Sequence, residues 1–513
     1  MSADAHGVTD NGSGGRGHAV VIGSSLAGLT AARALANTMD HVTVIERDHL
    51  PHGAGRRRGV PQARHTHSLT TTAQQGLEQL FPGIGKDLQR AGAIRVRLPQ
   101  DMLLLGPQGW LPRFDSGLSM LSAGRDLIDA VLRQRLHAEP RVSFLPAHEA
   151  TALQPGRNDT VTGVWARPRE RRSPNGWGPP RLIPADFVVD ASGRSSRAPH
   201  WLAELGYDSP RESVTPARST YVSTVFAPPV GHVADWKALL LMASPDHPHQ
   251  GTLNPIEGGR WSLTLCTGDG TQPPADHTAL LHAAGALRHP LLRDVIEAAT
   301  PLGPLYTCAH TENRWRHYEK LRRWPDQFLV VGDALAVLDP AHGPGMTLAV
   351  QGALVLDHLL AGHGTTVGLT YRLRRALAHR LAPAWQSSTR HLRTGNGQDA
   401  PTGLRARLAR RYTARIAAAA PTDPHAATQL IARIQAAGPL AAVPRPPAPH
   451  TPPAVPPAAV AAPPSRTHGP RTPRRPAPAA APAIGVATGS ARLRPPGSSA
   501  QWPAPAPRAR PRP

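Results

Sequence analysis

The run His18-Ala-Val-Val-Ile-Gly-Ser-Ser-Leu-Ala-Gly28 constrains this chain most. Four apolar residues, Ala19 to Ile22, read as a short strand buried inside a parallel sheet. Gly23 permits a tight turn, and Gly28 lets the helix that follows, Leu26 to Asn37, pack close to the strand. The first N–H groups of that helix would point at a pyrophosphate. Gly23, Ser25, Leu26, Ala27 and Gly28 are therefore the candidate phosphate turn. The middle glycine of G-x-G-x-x-G is Ser25 here. A second strand, His41 to Glu46, ends in an acid about 20 residues past the turn, where a ribose-binding carboxylate is expected. Strand, turn, helix and acid in this order imply a dinucleotide-binding βαβ unit.

Length and composition bound the rest. A chain of 513 residues predicts two lobes plus a tail. The formal net charge of +22 invites a nucleic-acid reading, but its location argues otherwise. Residues 441–513 hold 10 arginines and no acid, together with more than a third of the 57 prolines. The chain has 3 lysines against 54 arginines. This is a compositional bias toward Arg, Ala, Pro and Gly, so a nucleic-acid partner is not expected. Cys266 and Cys308 make neither a disulfide framework nor a metal cluster. Met1 to Gly17 lacks the apolar core of a signal peptide, and no stretch approaches 18 uninterrupted apolar residues. A cytoplasmic chain without a membrane span is the expectation.

Along the chain, residues 1–17 read as a disordered leader. Residues 18–220 and 308–400 read as one discontinuous nucleotide-binding domain, with a sheet-containing lobe, 221–307, inserted between its halves. Strands are expected at Val142 to Pro146, Val161 to Ala166, Phe187 to Asp190 and Trp261 to Cys266. Residues 401–439 read as a C-terminal helical segment, with Arg405, Arg407, Arg410, Arg411 and Arg415 on a solvated face. From 440 to 513 the Pro/Ala/Arg low complexity predicts a disordered tail. The fold class is α/β: a Rossmann-like domain, an inserted β-sheet substrate domain and a disordered C-terminal tail.

A second block, Phe328 to Met346, repeats the logic of the first. A buried strand ends at Gly332-Asp333, and a Gly-rich segment opens another helix. Asp333, at a strand's carboxyl end, can accept hydrogen bonds from polyol hydroxyls. Gly343 and Gly345 leave backbone N–H groups exposed at the start of the helix that begins at Met346. That positive dipole end could stabilise negative charge.

These blocks resemble the flavin-dependent aromatic-hydroxylase-like monooxygenase superfamily. The motifs match in order: Gly23 to Gly28 with Glu46-Arg47, then Asp190 with Gly193, then Gly332-Asp333 with Pro340, Gly343 and Gly345. Arg125 matches an arginine that sits beside the cofactor in that superfamily. The chain is more closely similar to the bacterial flavin epoxidases of polyether biosynthesis, relatives of squalene epoxidase. The segments concerned are Arg57 to His65, Gly109-Trp110, Asp190 to Arg194, Pro255 to Trp261 and Gly332-Asp333. That group also tolerates a serine where Ser25 stands. The resemblance spans residues 18 to 360, and more loosely to about 440.

The resemblance implies FAD, molecular oxygen and a flavin C4a-hydroperoxide that passes one oxygen atom to a small apolar substrate, such as an olefin of secondary metabolism. Electrons would come from NAD(P)H directly or from a separate flavin reductase. Such chemistry belongs mainly to the cofactor, so the catalytic side chains stay open. Arg58 and Arg64 are candidates for phosphate or flavin-edge contacts. His65 and His67 could face one side of a strand as metal ligands, but no third ligand lies at useful spacing and they read as loop histidines. Trp110, Trp261 and Trp315 read as packing. One alternative is a flavin-dependent olefin reductase on the same fold, transferring hydride. Another is a non-catalytic nucleotide-binding protein whose basic tail contacts nucleic acid. A halogenase would call for a Trp-x-Trp-x-Ile-Pro segment, which the sequence lacks.

Overall fold

The structure is a computed structural model that describes residues 17–170, 173, 175–216, 219–244, 246–268, 271–309, 312–340, 343–365, 367–394 and 404–435. All of these fall in one compact unit, Met1–Pro449. The expected leader (apart from Gly17) and the expected tail, 440–513, lie outside the described residues.

The chain opens with β1 (His18–Ile22), α1 (Leu26–Ala36) and β2 (His41–Glu46). β2 pairs in parallel with β1 and, on its other side, with Val142–Pro146. Helix α2 (Arg125–His137) runs into that edge strand. β3 (Phe187–Asp190) flanks β1 on the inner side, again in parallel. Near-continuous apolar runs are what a parallel strand covered on both faces requires. One face carries Ala19, Val21, Val42 and Val189, packed beneath α1 and α2. Val20, Val188 and Phe328 point the other way, against a small antiparallel sheet of 148–184 and Trp201.

A second, eight-stranded sheet is centred on β4 (Thr220–Ala227), β5 (Gln250–Ile256) and β6 (Arg260–Thr267), paired antiparallel. It also takes in Met102–Gly106 and Gly109–Trp110 from much earlier in the chain. Its apolar face, with Val222, Phe226, Leu263 and Leu265, packs on helices His277–Gly285 and Leu291–Glu297. Alternation turns Tyr221, Ser223, Ser262, Thr264 and Cys266 to the opposite face. The segment around His65 crosses to that face. The His65 ring meets the Ser223 hydroxyl at 2.8 Å, and the hydroxyls of Thr66 and Ser262 meet at 2.8 Å.

β7 (Phe328–Val330) returns to the first sheet beside β3 and completes five parallel strands. It feeds the turn at Gly332 and then helix α3 (Pro344–His363). By length and composition alone, Gly345–His363 could cross a membrane. Here Val350, Ala353, Leu356 and Leu360 join the core beside α1, so the apolarity serves packing. Among the described residues the last two helices, Leu404–Ala419 and Pro424–Gln435, bury Ile416, Ala427 and Ile431 against Val96, Met102 and Met120. Trp261 and Trp315 are buried, whereas Trp110 is exposed beside His289.

Candidate functional site

The two glycine turns interlock at the carboxyl ends of the parallel strands. A Cβ on Gly28 would lie 1.8 Å from the Gly23 carbonyl oxygen, so only glycine lets α1 start where it does. Gly23 has φ +102°, and a Cβ there would stand 2.6 Å from the Ala191 oxygen, just after Asp190. A Cβ on Gly332 would meet the Ala27 Cβ at 2.6 Å. Gly23, Ser25, Leu26, Ala27, Gly28, Asp190 and Gly332 therefore come together as one floor. Ser25 is the N-cap of α1 and its side chain makes no capping bond. Its hydroxyl instead accepts from Arg125 at 2.8 Å.

Beneath this floor lies a buried ionic cluster. Arg125 donates to Asp129 one turn along α2 at 2.8 Å, and Asp129 accepts from Arg57 at 2.9 Å. Arg57 also reaches Glu46 at 3.1 Å and the Ser24 hydroxyl at 2.9 Å. Both the N–H and the hydroxyl of Ser24 donate to Glu46 Oε2, at 3.0 and 2.6 Å. Glu46 Oε1 accepts only from the Asp48 N–H among the described residues. Two arginines and two carboxylates thus neutralise each other, as burial demands. Arg47 and Arg58 are exposed and form no hydrogen bond or ion pair with a described residue; Arg64 stacks over the Tyr306 ring at 4.3 Å.

The two strand-end aspartates differ. Asp190 is spent on its own turn, accepting from the Ser192 N–H at 2.9 Å and from the Ser196 hydroxyl at 2.5 Å. Burial raises its pKa, and those bonds with Arg316 oppose the rise. Asp333 belongs to a half-buried residue whose carboxylate is desolvated, which pushes its pKa up against the pull of Arg125 and Arg194. Its carboxylate accepts no hydrogen bond from any described residue. Beyond it, Gly343 caps α3 in the left-handed conformation, and at neither Gly343 nor Gly345 does an added Cβ meet another atom of the described residues within 4 Å. Met346 packs on the core beside them.

Of the tandem arginines, Arg57 is the buried one, paired with Glu46 and Asp129. Arg58, the candidate for phosphate or flavin-edge contacts, stays exposed, and Asp129 is not among the residues named from sequence. The spacing Arg125 to Asp129 on a helix was a legible signal for the second. It also set His67 aside. The Nδ1–H of His67 donates to the His65 carbonyl at 2.8 Å, and burial, with Arg125 nearby, holds its pKa down at about 4. His67 is a neutral imidazole beside the cluster, with its Nε2 lone pair free of any described partner.

Two glycine turns interlocked at the carboxyl ends of a parallel sheet are the frame in which a dinucleotide is held, and the Asp333 carboxylate beside them has no donor among the described residues. The chain belongs to the FAD binding domain family, whose pattern matches residues 17–390. It is an FAD-dependent oxidoreductase. Protein Rv3254 of Mycobacterium tuberculosis is 32% identical over 380 residues, covering 72% of this chain and 78% of that one. Kynurenine 3-monooxygenase of Salinispora arenicola is 26% identical over 372 residues, covering 68% and 73%. Among solved structures, p-nitrophenol 4-monooxygenase PnpA of Pseudomonas putida DLL-E4 shares the fold, with a TM-score of 0.55 at 15% identity, over 81% of this chain and 96% of that one. The residues present fit FAD: the glycine floor has no room for side chains, and Asp333 has no hydrogen-bond donor among the described residues.

Proposed function

We propose that this flavoprotein is a monooxygenase that inserts one atom of molecular oxygen into a small, largely apolar organic substrate, with olefin epoxidation as the specific reaction. The observation that carries the site assignment is Asp333, a desolvated carboxylate with no described donor, beside Arg125 and between the two glycine turns. When bound, FAD supplies the redox and oxygen chemistry. The chain's own residues bind and orient it. The open N–H groups at the start of α1, with Arg125, hold the pyrophosphate. Glu46, fixed by Arg57 and Ser24, offers Oε1 to the adenosine ribose, with Arg47 and Arg58 at the solvent edge. Asp333 accepts from ribityl hydroxyls, and the backbone at Gly343, Gly345 and Met346 faces the flavin's pyrimidine edge. Asp190 and Gly193 shape the turn behind Gly23.

In this reading 18–220 and 308–400 form the cofactor domain, and 221–307 contributes the substrate lobe. The likeness to the polyether epoxidases supports epoxidation over hydroxylation, and electrons come from NAD(P)H or a separate reductase. The test begins with the visible spectrum of the purified protein and the mass of the released cofactor. FAD release followed by oxygen-dependent conversion of an olefin to its epoxide is the expected outcome. Turnover that persists without oxygen would replace the monooxygenase with an olefin reductase. A protein that refuses FAD, yet binds DNA in a salt-sensitive way lost on truncation after Pro439, would leave the non-catalytic reading.

A further inference from the structure

We propose that Tyr221 and Asp339 are a positioning pair that ties the eight-stranded sheet to the turn leading into α3, and so sets how FAD sits. This rests on the flavin reading of Gly343 and Gly345. Tyr221 lies mid-sheet on β4, directly opposite Cys266 on one neighbouring strand and Cys308 on the other. Its buried hydroxyl donates to Asp339 Oδ1. Asp339 is also buried, and its N–H donates to Asn313 Oδ1 at 2.6 Å; the Ser388 hydroxyl donates to the same oxygen at 3.0 Å. The next residue, Pro340, accepts from the Gly343 N–H at 2.8 Å. Sheet, carboxylate, turn and helix cap therefore form one short mechanical path.

The chemistry of the pair favours a fixed geometry. A phenylalanine at 221 would fill almost the same volume, so the hydroxyl is what meets Asp339. A hydrogen bond donated to a carboxylate is worth more than one to a neutral acceptor, so the Tyr221 hydroxyl holds Asp339 firmly. Burial, then Cys266 and Asp339, push the phenol's pKa far up, so the proton stays on Tyr221 and the direction of donation is set.

The pair is tested with Tyr221→Phe and Asp339→Asn in the full chain. Apoprotein is titrated with FAD by fluorescence quenching, the visible spectrum of the bound flavin is recorded, and the apoprotein is melted. Tyr221→Phe should weaken FAD binding about tenfold and alter the shape of the visible bands, with the apoprotein melting within a few degrees of wild type. Asp339→Asn, whose amide oxygen still accepts from Tyr221, should keep affinity within about threefold and restore the wild-type spectrum. Wild-type affinity and spectrum in Tyr221→Phe would overturn the pair alone. So would equal loss of melting temperature in both variants with an unchanged flavin spectrum, which marks ordinary packing. Failure of the wild-type apoprotein to take up FAD would overturn the flavin reading, and the pair with it.

Discussion

Asp333 and His67 are held in the less charged direction by burial, and each makes a distinct prediction. Asp333 has its pKa raised in the fold, so it costs stability above the carboxylate's ordinary pKa and the cost fades as pH falls. Asp333→Asn should therefore raise the apoprotein's melting temperature at pH 7 while weakening FAD by the equivalent of roughly 1.5–3 kcal/mol. Calorimetry on the apoprotein and FAD titration check the two halves, and an unchanged affinity would place the ribityl chain elsewhere. His67 has the opposite sign. Its folded pKa of about 4 lies below the ordinary 6.5, so the unfolded chain binds its proton first. Stability is fully present above pH 6.5 and drains as pH falls toward 4, by at most about 3 kcal/mol at 1.36 kcal/mol per unit. Melting curves from pH 8 to 4 should show a steeper loss in wild type than in His67→Gln. Asp333 was legible because its type, its strand end and its neighbouring glycine coincide in sequence. His67 was not, since what makes it unusual is its burial in the fold, with the approach of Arg125, 58 positions away in the chain, adding to it.

At the level of elements, the strands and helices that form the glycine floor were nearly all legible, because each is announced locally. Ala19 to Ile22 and Phe187 to Asp190 are apolar runs, and both are parallel strands. The helix expected from Met346 starts two residues earlier, at Pro344, where proline's fixed φ suits a first turn. Which member of Arg56-Arg57-Arg58 turns inward is not legible, because nothing local in the sequence says it. That choice is made by Glu46 and Asp129, which arrive from other elements. The glycines divide by what surrounds them, and this is testable. Gly28→Ala would drive a Cβ into backbone 1.8 Å away, so it should cost more than the 1–3 kcal/mol of ordinary overpacking and yield little folded protein. Gly345→Ala meets no other atom of the described residues within 4 Å and replaces a helical glycine, so the apoprotein should gain up to about 1 kcal/mol. If FAD approaches that backbone closely, the same variant loses affinity. Urea unfolding of both apoproteins, beside FAD titration of Gly345→Ala, separates a glycine the fold needs from one a ligand needs.

Across the whole molecule, the C-terminal part of the chain divides by chemistry. Helix Pro424–Gln435 buries Ala426, Ala427, Leu430 and Ile431 in the cluster that holds Val96, Met102 and Met120. Gln435 Oε1 accepts from the N–H and hydroxyl of Thr71, at 3.2 and 2.8 Å. The neighbouring Thr70 meets Thr347, near the start of α3, at 2.9 Å. The last described helix thus braces α3 through two threonines, a link no local pattern announces. A chain ending at Asp423 loses the burial of Leu430 and Ile431, worth about 1.5–3 kcal/mol each, and exposes the apolar surface beneath them. A chain ending at Pro439 keeps that helix and sheds 10 arginines with no acid, lowering the formal net charge from +22 to +12. The shorter chain should melt several degrees lower and retain less FAD, while the chain ending at Pro439 should match full length in both. If instead removal of 440–513 alone abolishes FAD retention, the arginine-rich segment takes part in the flavoprotein's function, and the compositional account of its charge is wrong.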